Sequence, residues 1–397
     1  MTKRVWLIIL AGGMIVTLAM GLRQSFGLFL RPISLDLGTG RELLSFALAL
    51  QNLIWGAISP FSGALADRFG EARVSIAGAV LFALGMAVMG WAPSGEVVVF
   101  AQMLIGIGLG GVGLSTVLGA VGRAAAPEKR TMALGLVSAA GSFGQFSVIP
   151  GAHVLMDAYG WHAALYILAA TALAMIPLSM GLGPKRSAEE RRRAQPLKAA
   201  LAEALASRSF ILLTAGYFVC GFHVVFIATH LPAYVADKGM PGWVGAWALA
   251  MVGLFNIIGT YTAGYLGSRF SKKNLLAAIY LARAAVFVVF LMTPVSEASV
   301  LVFSAAMGLL WLSTIPLTSG LVAHLFGPVW MSMLYGIVFF SHQVGSFLGA
   351  WLGGRIFDAL GTYDAMWWIC VGLGVAAALL NWPIAERPVE RLAGAKA

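Results

Sequence analysis

The chain has 397 residues, 60% of them hydrophobic and 11% charged, and a formal net charge of +10. Soluble domains carry about 25% charged residues, so a string of soluble domains is excluded, because their surfaces would need far more charge. Cys220 and Cys370 sit in separate apolar runs, too far apart in sequence to suggest a metal site or redox motif, and are expected to pack as small apolar side chains.

The chain opens with "MTKRVWLIILAGGMIVTLAM", where Lys3 and Arg4 precede an apolar run. That run continues to Leu30, about 26 residues, longer than a signal-peptide core, so it is expected to be a retained first span. Crossing a bilayer takes about 20 apolar residues. Twelve runs qualify, near 6–30, 43–66, 74–91, 97–122, 132–155, 162–182, 209–232, 243–267, 275–293, 298–322, 331–354 and 363–383. One long polar segment, "GPKRSAEERRRAQPLKAALAEALASR" (183–208), separates the first six from the last six. The expected organisation is an N-terminal six-helix bundle over 1–182, a cytoplasmic linker over 183–208 and a C-terminal six-helix bundle over 209–397.

Lys and Arg collect on one side. With a cytoplasmic N-terminus, the cytoplasmic segments hold Lys3, Arg4, Arg68, Arg73, Arg123, Lys129, Arg130, seven basic residues of the linker, Arg269, Lys272, Lys273, Arg387, Arg391 and Lys396. The opposite side holds only Arg31, Arg41, Lys238 and Arg355. This bias predicts both termini inside, in the inner (plasma) membrane. The net positive charge is then a topology signal and no evidence for nucleic acid. The basic linker is expected to lie near anionic headgroups.

The halves repeat each other. "GALADRFGEAR" (63–73) matches "GYLGSRFSKKN" (264–274), and "MDAYGWHAALYI" (156–167) matches "FDALGTYDAMWWI" (357–369). Gly63 pairs with Gly264, Arg68 with Arg269, Asp157 with Asp358 and Gly160 with Gly361, all at an offset of 201 residues. Two matches at one offset indicate a duplicated six-helix unit. Parallel repeats of this kind build transporters with the site at the bilayer midplane between repeats. The fold class expected is an all-α membrane protein, twelve transmembrane helices in two pseudo-symmetric six-helix bundles.

The stretch Gly63-Ala64-Leu65-Ala66-Asp67-Arg68-Phe69-Gly70 resembles the signature loop of the major facilitator superfamily. With helix count, linker and repeat in agreement, the resemblance covers nearly the whole chain. It implies bundles that rock around a central cavity lined mainly by spans 1, 4, 7 and 10. It also implies gating roles. Asp67 would cap the inner gate against span 11, and Arg68 would join a cytoplasmic ion-pair network. In the second copy Arg269 is kept, but Ser268 stands where Asp67 stands. The stronger latch is therefore expected in the N-terminal half.

Charge inside the membrane costs at least ~2.5–3.5 kcal/mol and asks for a partner. All sixteen acidic residues fall in predicted loops or at helix ends, so no carboxylate is expected at mid-membrane depth. The basic side differs: Arg23, Arg283, His223 and His342 lie well inside spans 1, 9, 7 and 11. Arg23 lies about 26 Å along the helix from Trp6, in the outer half of the bilayer. Arg keeps its charge. An anionic substrate would neutralise it, through the bidentate geometry of Arg with carboxylate; the bland alternative is snorkelling to the outer headgroups. "RQSFGLFLRPIS" (23–34) resembles the end of helix 1 in the monocarboxylate transporter branch, close to the oxalate/formate antiporters. There a basic residue of helix 1 contributes to anion binding, and Arg23 matches it by position. The branch commonly carries an Arg and an acid on helix 8 where this chain has Thr260 and Asn256.

The two histidines are candidate proton carriers, since His is tuned most readily across neutral pH; each is otherwise a packing histidine. His342 lies about 17 Å into its span and His223 at similar depth, whereas Arg283, about 12 Å into a peripheral span, is expected to snorkel to the cytoplasm. Neutral polar residues complete the expected substrate site. They are Gln51 and Asn52 beside Trp55 on span 2, Asn256 and Thr260 on span 8, Gln343 on span 11, and Gln145 on span 5. Trp311, Thr314 and Thr318 form an i, i+3, i+7 stripe on span 10 near Pro316. Such stripes are more often helix packing than ligand contact. "GIGLGGVG" (106–113) serves close helix approach; without a surrounding βαβ unit it is no dinucleotide fingerprint.

These features point to a secondary active transporter of a small organic monocarboxylate, with proton symport, working as a monomer and without a cofactor. A proton-driven exporter of drugs or metabolites, or an anion exchanger, is the alternative. "GSFGQFSVIPG" (141–151) lacks the G-x-x-x-G-P-x-x-G-G motif carried by many exporters. An enzyme is not expected: the sequence has no nucleophile elbow, phosphate loop or metal-ligand spacing.

Overall fold

The computed structural model describes residues 2–38, 41–183 and 196–393. Among them every regular element is a helix, and no strand is present. The helices are α1 (Lys3–Asp36), α2 (Arg41–Phe69), α3 (Glu71–Trp91), α4 (Gly95–Val112), α5 (Leu114–Ala124), α6 (Arg130–Ala172), α7 (Met175–Met180), α8 (Leu197–Ala206), α9 (Arg208–Asp237), α10 (Gly242–Gly267), α11 (Lys272–Met292), α12 (Glu297–Leu310), α13 (Thr314–Phe326), α14 (Met331–Leu360), α15 (Asp364–Asn381) and α16 (Glu390–Ala393). Long apolar runs take this form because a helix satisfies every backbone donor within itself when no water is available. Eleven stretches are long and apolar enough to cross a membrane. The remaining expected span, 43–66, falls within the 29-residue α2. The all-helical, twelve-span fold class is therefore observed. The basic run 185–193 of the linker lies outside the described residues, apart from its flanks.

The repeat has a backbone cause. Gly160 adopts φ +76°, ψ +166° inside α6 and thereby divides span 5 from span 6. Its partner Gly361, at φ +68°, occupies the corresponding turn between α14 and α15. Only glycine enters this region without strain. The shared motif is thus a conserved-in-register reversal of the chain within one sequence.

A second correspondence did not show in the hydropathy. Span 4 is broken at Gly113, whose extended backbone (φ −77°, ψ −177°) separates α4 from α5. Span 10 is broken between Leu310 and Thr314, separating α12 from α13. The expected continuous stripe of Trp311, Thr314 and Thr318 is corrected accordingly: Trp311 ends one helix and Thr314 begins the next. Pro316 accounts for part of this, because it has no N–H to give to a carbonyl one turn earlier.

The chain forms two compact units. One comprises Met1–Ala126, Ala140–Leu197 and Pro328–Gly336; the other comprises Pro127–Ala139, Lys198–Gly327 and Ile337–Ala397. Within the first, α1 and α6 meet backbone to backbone. A Cβ on Gly144 would lie 2.0 Å from the Thr17 carbonyl oxygen. Within the second, α9 and α14 meet in the same way: a Cβ on Gly221 would lie 1.8 Å from the His342 carbonyl oxygen, and one on Gly345 2.0 Å from that of Phe218. Small residues permit such approach where apolar lipid supplies no hydrophobic force between helices.

Gly345→Val should therefore force α9 and α14 apart and cost roughly 1–3 kcal/mol or more, read as a lower thermal unfolding temperature of the detergent-solubilised protein. Gly253→Ala, where a Cβ meets nothing within 4 Å, should leave it unchanged or slightly raised. A Gly345→Val protein melting with wild type would contradict this packing.

Candidate functional site

The first unit places Arg23 of α1 beside α2. Its Nη2 donates to Asn52 Oδ1, and its Nη1 donates to Gln24 Oε1 at 3.4 Å. The guanidinium carbon lies 5.1 Å from the centroid of the Trp55 ring, a cation–π contact. Nε is buried and has no hydrogen-bond partner. Among the described residues no carboxylate pairs with Arg23. Asn52 is held in turn by donating from its amide to the Leu48 carbonyl at 2.9 Å. Trp55 borders the break in span 4: a Cβ on Gly113 would fall 2.8 Å from Trp55 Nε1. The Gly110 carbonyl at that break accepts from the Ser62 hydroxyl at 2.6 Å and from Thr116 at 3.2 Å. α5 then starts at Leu114 with its positive dipole end. Gln51 lies elsewhere. It is 1% exposed and donates to Gln102 Oε1 at 2.8 Å, which ties α2 to α4.

Asp67, at the end of α2, is also buried. Its carboxylate accepts from Met333 N at 2.8 Å and Ser332 N at 3.3 Å, two backbone groups of the first turn of α14. These are the donors a helix leaves unpaired at its start. Arg123 Nη1 donates to the same carboxylate at 2.5 Å and also pairs with Glu71. The ion pair expected of Arg68 thus belongs to Arg123. Arg68 is exposed and lies over the Phe69 ring at 5.3 Å. Arg123 and Glu71 were not singled out from sequence, although their place at the ends of spans 4 and 3 was a usable signal.

The second unit is organised around the break in span 10. Arg283 of α11 does not snorkel, contrary to expectation; it is 0% exposed. It donates to the Leu310 carbonyl at 2.6 Å through Nη2 and at 3.2 Å through Nε, and also to the Trp311 carbonyl. A cation is favourable at this end of α12, where the helix dipole is negative. From the other side Asn256 Oδ1 accepts the Leu312 N–H at 3.0 Å and the Thr260 hydroxyl at 2.9 Å. Ser313 donates to the Leu309 carbonyl at 2.6 Å. Asn256 therefore satisfies broken backbone and Thr260 holds its side-chain oxygen, both residues being fully buried. Trp311, 7% exposed, is fixed at the break itself.

The histidines separate. His223 is fully buried, donates from Nε2 to the Cys370 carbonyl at 2.9 Å, and meets the Phe287 ring edge-on at 5.1 Å. Its ring is thus turned toward α11 and α15 within the unit. His342 is 7% exposed, stacks with Phe339 at 5.5 Å and meets the Tyr217 ring at a tilt at 5.0 Å. Its Nδ1 faces Gln343 Oε1 at 3.1 Å, which makes Nδ1 the donor. Arg269 is exposed and lies 4.3 Å over the Tyr265 ring. The structure thus brings together Arg23 with Asn52, Asn256 with Thr260 and Trp311, and His342 with Gln343. It leaves Gln51, His223, Arg68 and Arg269 apart from these groups.

A dozen apolar helices, duplicated in register, with cations inside and broken spans at matching positions, define a membrane transporter. The family profile described as "Major Facilitator Superfamily" matches residues 9–350. The chain belongs to that superfamily, and its family and relatives are transporters, not enzymes. It is 26% identical over 379 residues to the "Uncharacterized MFS-type transporter YcxA" of Bacillus subtilis (strain 168), covering 92% of this chain and 91% of that one. It is 25% identical over 380 residues to mouse (Mus musculus) "Monocarboxylate transporter 11", covering 92% and 84% respectively. Among solved structures, the proton:xylose symporter XylE superposes with TM-score 0.76 at 16% identity over 99% of both chains. The E. coli fucose:proton symporter FucP gives 0.75 at 16% identity over 97% of this chain and 100% of that one.

Asp67→Asn should weaken the charged cap on α14. The loss of about 1.5–3 kcal/mol expected for hydrogen bonds to a charged group would speed hydrogen exchange at the Ser332 and Met333 amides by roughly 10–150-fold. Ser268, whose hydroxyl donates only to its neighbour Tyr265 O at 2.7 Å, should tolerate Ala without such a change. Equal acceleration in both variants would remove the asymmetry between the two copies.

Proposed function

We propose that this transporter moves a small organic monocarboxylate across the inner membrane by alternating access, with proton symport and with both termini cytoplasmic. One observation carries the reading: Arg23 is a half-buried cation held only by neutral groups, with Nε unpartnered and no carboxylate against it among the described residues. A substrate carboxylate supplies the missing charge and can engage the guanidinium at two points. Asn52 and Trp55 hold the guanidinium in place beforehand, so less ordering is needed on binding. The relatives named as monocarboxylate transporters support the substrate class, and the structural neighbours named as proton symporters support the coupling.

Proton symport has an energetic reason. Bringing one anion in against 100 mV, inside negative, costs about 2.3 kcal/mol, and a co-transported proton cancels it. His342 is the first candidate carrier, because its ring keeps slight exposure and a polar neighbour. His223 is second, and its packing between α11 and α15 counts against it. Trp311, Asn256, Thr260 and Gln343 are further proposed substrate-binding residues, and Gln51 would act only through α2. Asp67 would latch the inner gate, with Arg68 and Arg269 as lesser elements of the same device.

Uptake of labelled lactate and related acids into proteoliposomes, with lumenal pH followed in parallel, tests both parts. Arg23→Gln should raise KM roughly 10–150-fold, the equivalent of a charge-assisted hydrogen bond, and Arg23→Lys should recover part of it. His342→Gln should abolish lumenal acidification. Wild-type KM in Arg23→Gln would return Arg23 to a structural role. Undiminished acidification in the His342→Gln, His223→Gln double variant would leave the substrate itself as proton carrier.

A further inference from the structure

One cavity of the second unit belongs to no part of the transport site. It is a groove of about 370 Å³ along α10, α11, α12 and α13, almost wholly apolar, with Leu266, Leu275, Ile279, Ala282, Leu310 and Leu317 in its walls. Its helices are all stretches long and apolar enough to cross a membrane, so it opens where hydrocarbon is the solvent. One end abuts the span 10 break through Leu310 and Ser313.

The other end is basic. On α11, Lys272 precedes Leu275, Ile279 and Ala282 at i, i+3, i+7 and i+10, so it continues the groove face of that helix. On α10, Thr262 and Leu266 run along the wall toward Arg269, whose N–H donates to the Leu266 carbonyl at 3.0 Å in the connecting turn. Arg269 is exposed over Tyr265. Neither Arg269 nor Lys272 forms an ion pair among the described residues. Glu386 acts electrostatically on Lys272 and accepts from the Lys273 backbone N–H at 2.7 Å, while Arg130 adds a further cation beside Lys272. This end belongs to the side that collects Lys and Arg throughout the sequence.

We propose that the groove holds one acyl chain of an anionic phospholipid whose headgroup phosphate rests on Lys272 and Arg269. The apolar wall excludes a polar ligand along its length, and the cationic mouth favours an anionic over a zwitterionic headgroup. A partner helix would meet the same wall but has no use for a cationic end. Because the chain terminus would lie against the break that Arg283 and Asn256 hold together, the lipid is placed to steady span 10. The proposal does not depend on which substrate is carried.

The test uses the full chain in phosphatidylcholine vesicles with and without phosphatidylglycerol, each lipid in turn carrying a photoreactive group on its acyl chain. Labelling by the phosphatidylglycerol probe is expected within 275–282 and 309–317, several-fold above the phosphatidylcholine probe. The exposed-end double variant Arg269→Gln, Lys272→Gln should bring the two probes level, and Ala278→Trp, which fills the groove, should reduce both. Equal labelling of wild type by the two probes, or labelling elsewhere, would overturn the proposal. Cross-linking of two copies through these residues would also overturn it. So would loss of labelling in inorganic phosphate alone, which would make the ligand a soluble anion.

Discussion

Positive charge held in an apolar interior without a negative partner is the constraint on which the rest of this structure depends. Arg283, fully buried, and Arg23, half-buried, meet it differently. Arg283 is surrounded by protein and is neutralised by carbonyl oxygens at the negative end of α12. A helix terminus offers a cation up to ~2 kcal/mol in partly buried geometry, and the two carbonyls satisfy donors that would otherwise be costly. Arg23 has an amide oxygen from Asn52, another from Gln24 and the face of Trp55, none of them charged. Each keeps one unpartnered nitrogen, Nη1 of Arg283 and Nε of Arg23, but Arg283 is held by backbone carbonyls at a helix end and Arg23 only by neutral side chains. That contrast supports the binding task proposed for Arg23 and a structural one for Arg283.

The broken spans follow from the same economy. A helix interrupted in hydrocarbon exposes donors and acceptors that water cannot reach. Each break here is closed by side chains: Ser62 and Thr116 at Gly110, and Arg283, Asn256 and Ser313 around Leu309–Leu312. Interrupted segments at corresponding positions of two repeats are the usual sign of a transporter's binding region. In the first unit the break lies against Trp55, which also carries Arg23. In the second it fixes Trp311.

How much of this was legible in the sequence depended on whether the signal was local. Span count, linker and the charge bias are local, since each run must satisfy its own backbone and each loop carries its own lysines. The repeat was legible through Gly160 and Gly361 because a positive φ restricts the residue type. Side-chain destinations were not legible where the partner is remote. Depth along α11 alone suggested that Arg283 would snorkel; the carbonyls it fills belong to a different helix and exist only because that helix breaks. The hold of Asn256 on the Leu312 N–H was hidden for the same reason. Gln51 is next to Asn52 in the sequence, yet its side chain meets Gln102 of α4. Gly113 and Pro316 were the available signs of the breaks, and both sat inside runs apolar enough to read as continuous helix.

Electrostatic neutralisation of Arg23 by the substrate is the central claim, and it is tested most directly by binding without transport. The melting temperature of the purified protein would be followed against a panel of small carboxylic acids and, in parallel, their neutral methyl esters. A ligand at 100 times its Kd stabilises the folded state by about 2.7 kcal/mol, enough to read clearly. The account predicts that at least one acid raises the melting temperature while its ester does not, and that Arg23→Gln abolishes the difference. Equal stabilisation by acid and ester, retained in Arg23→Gln, would contradict it.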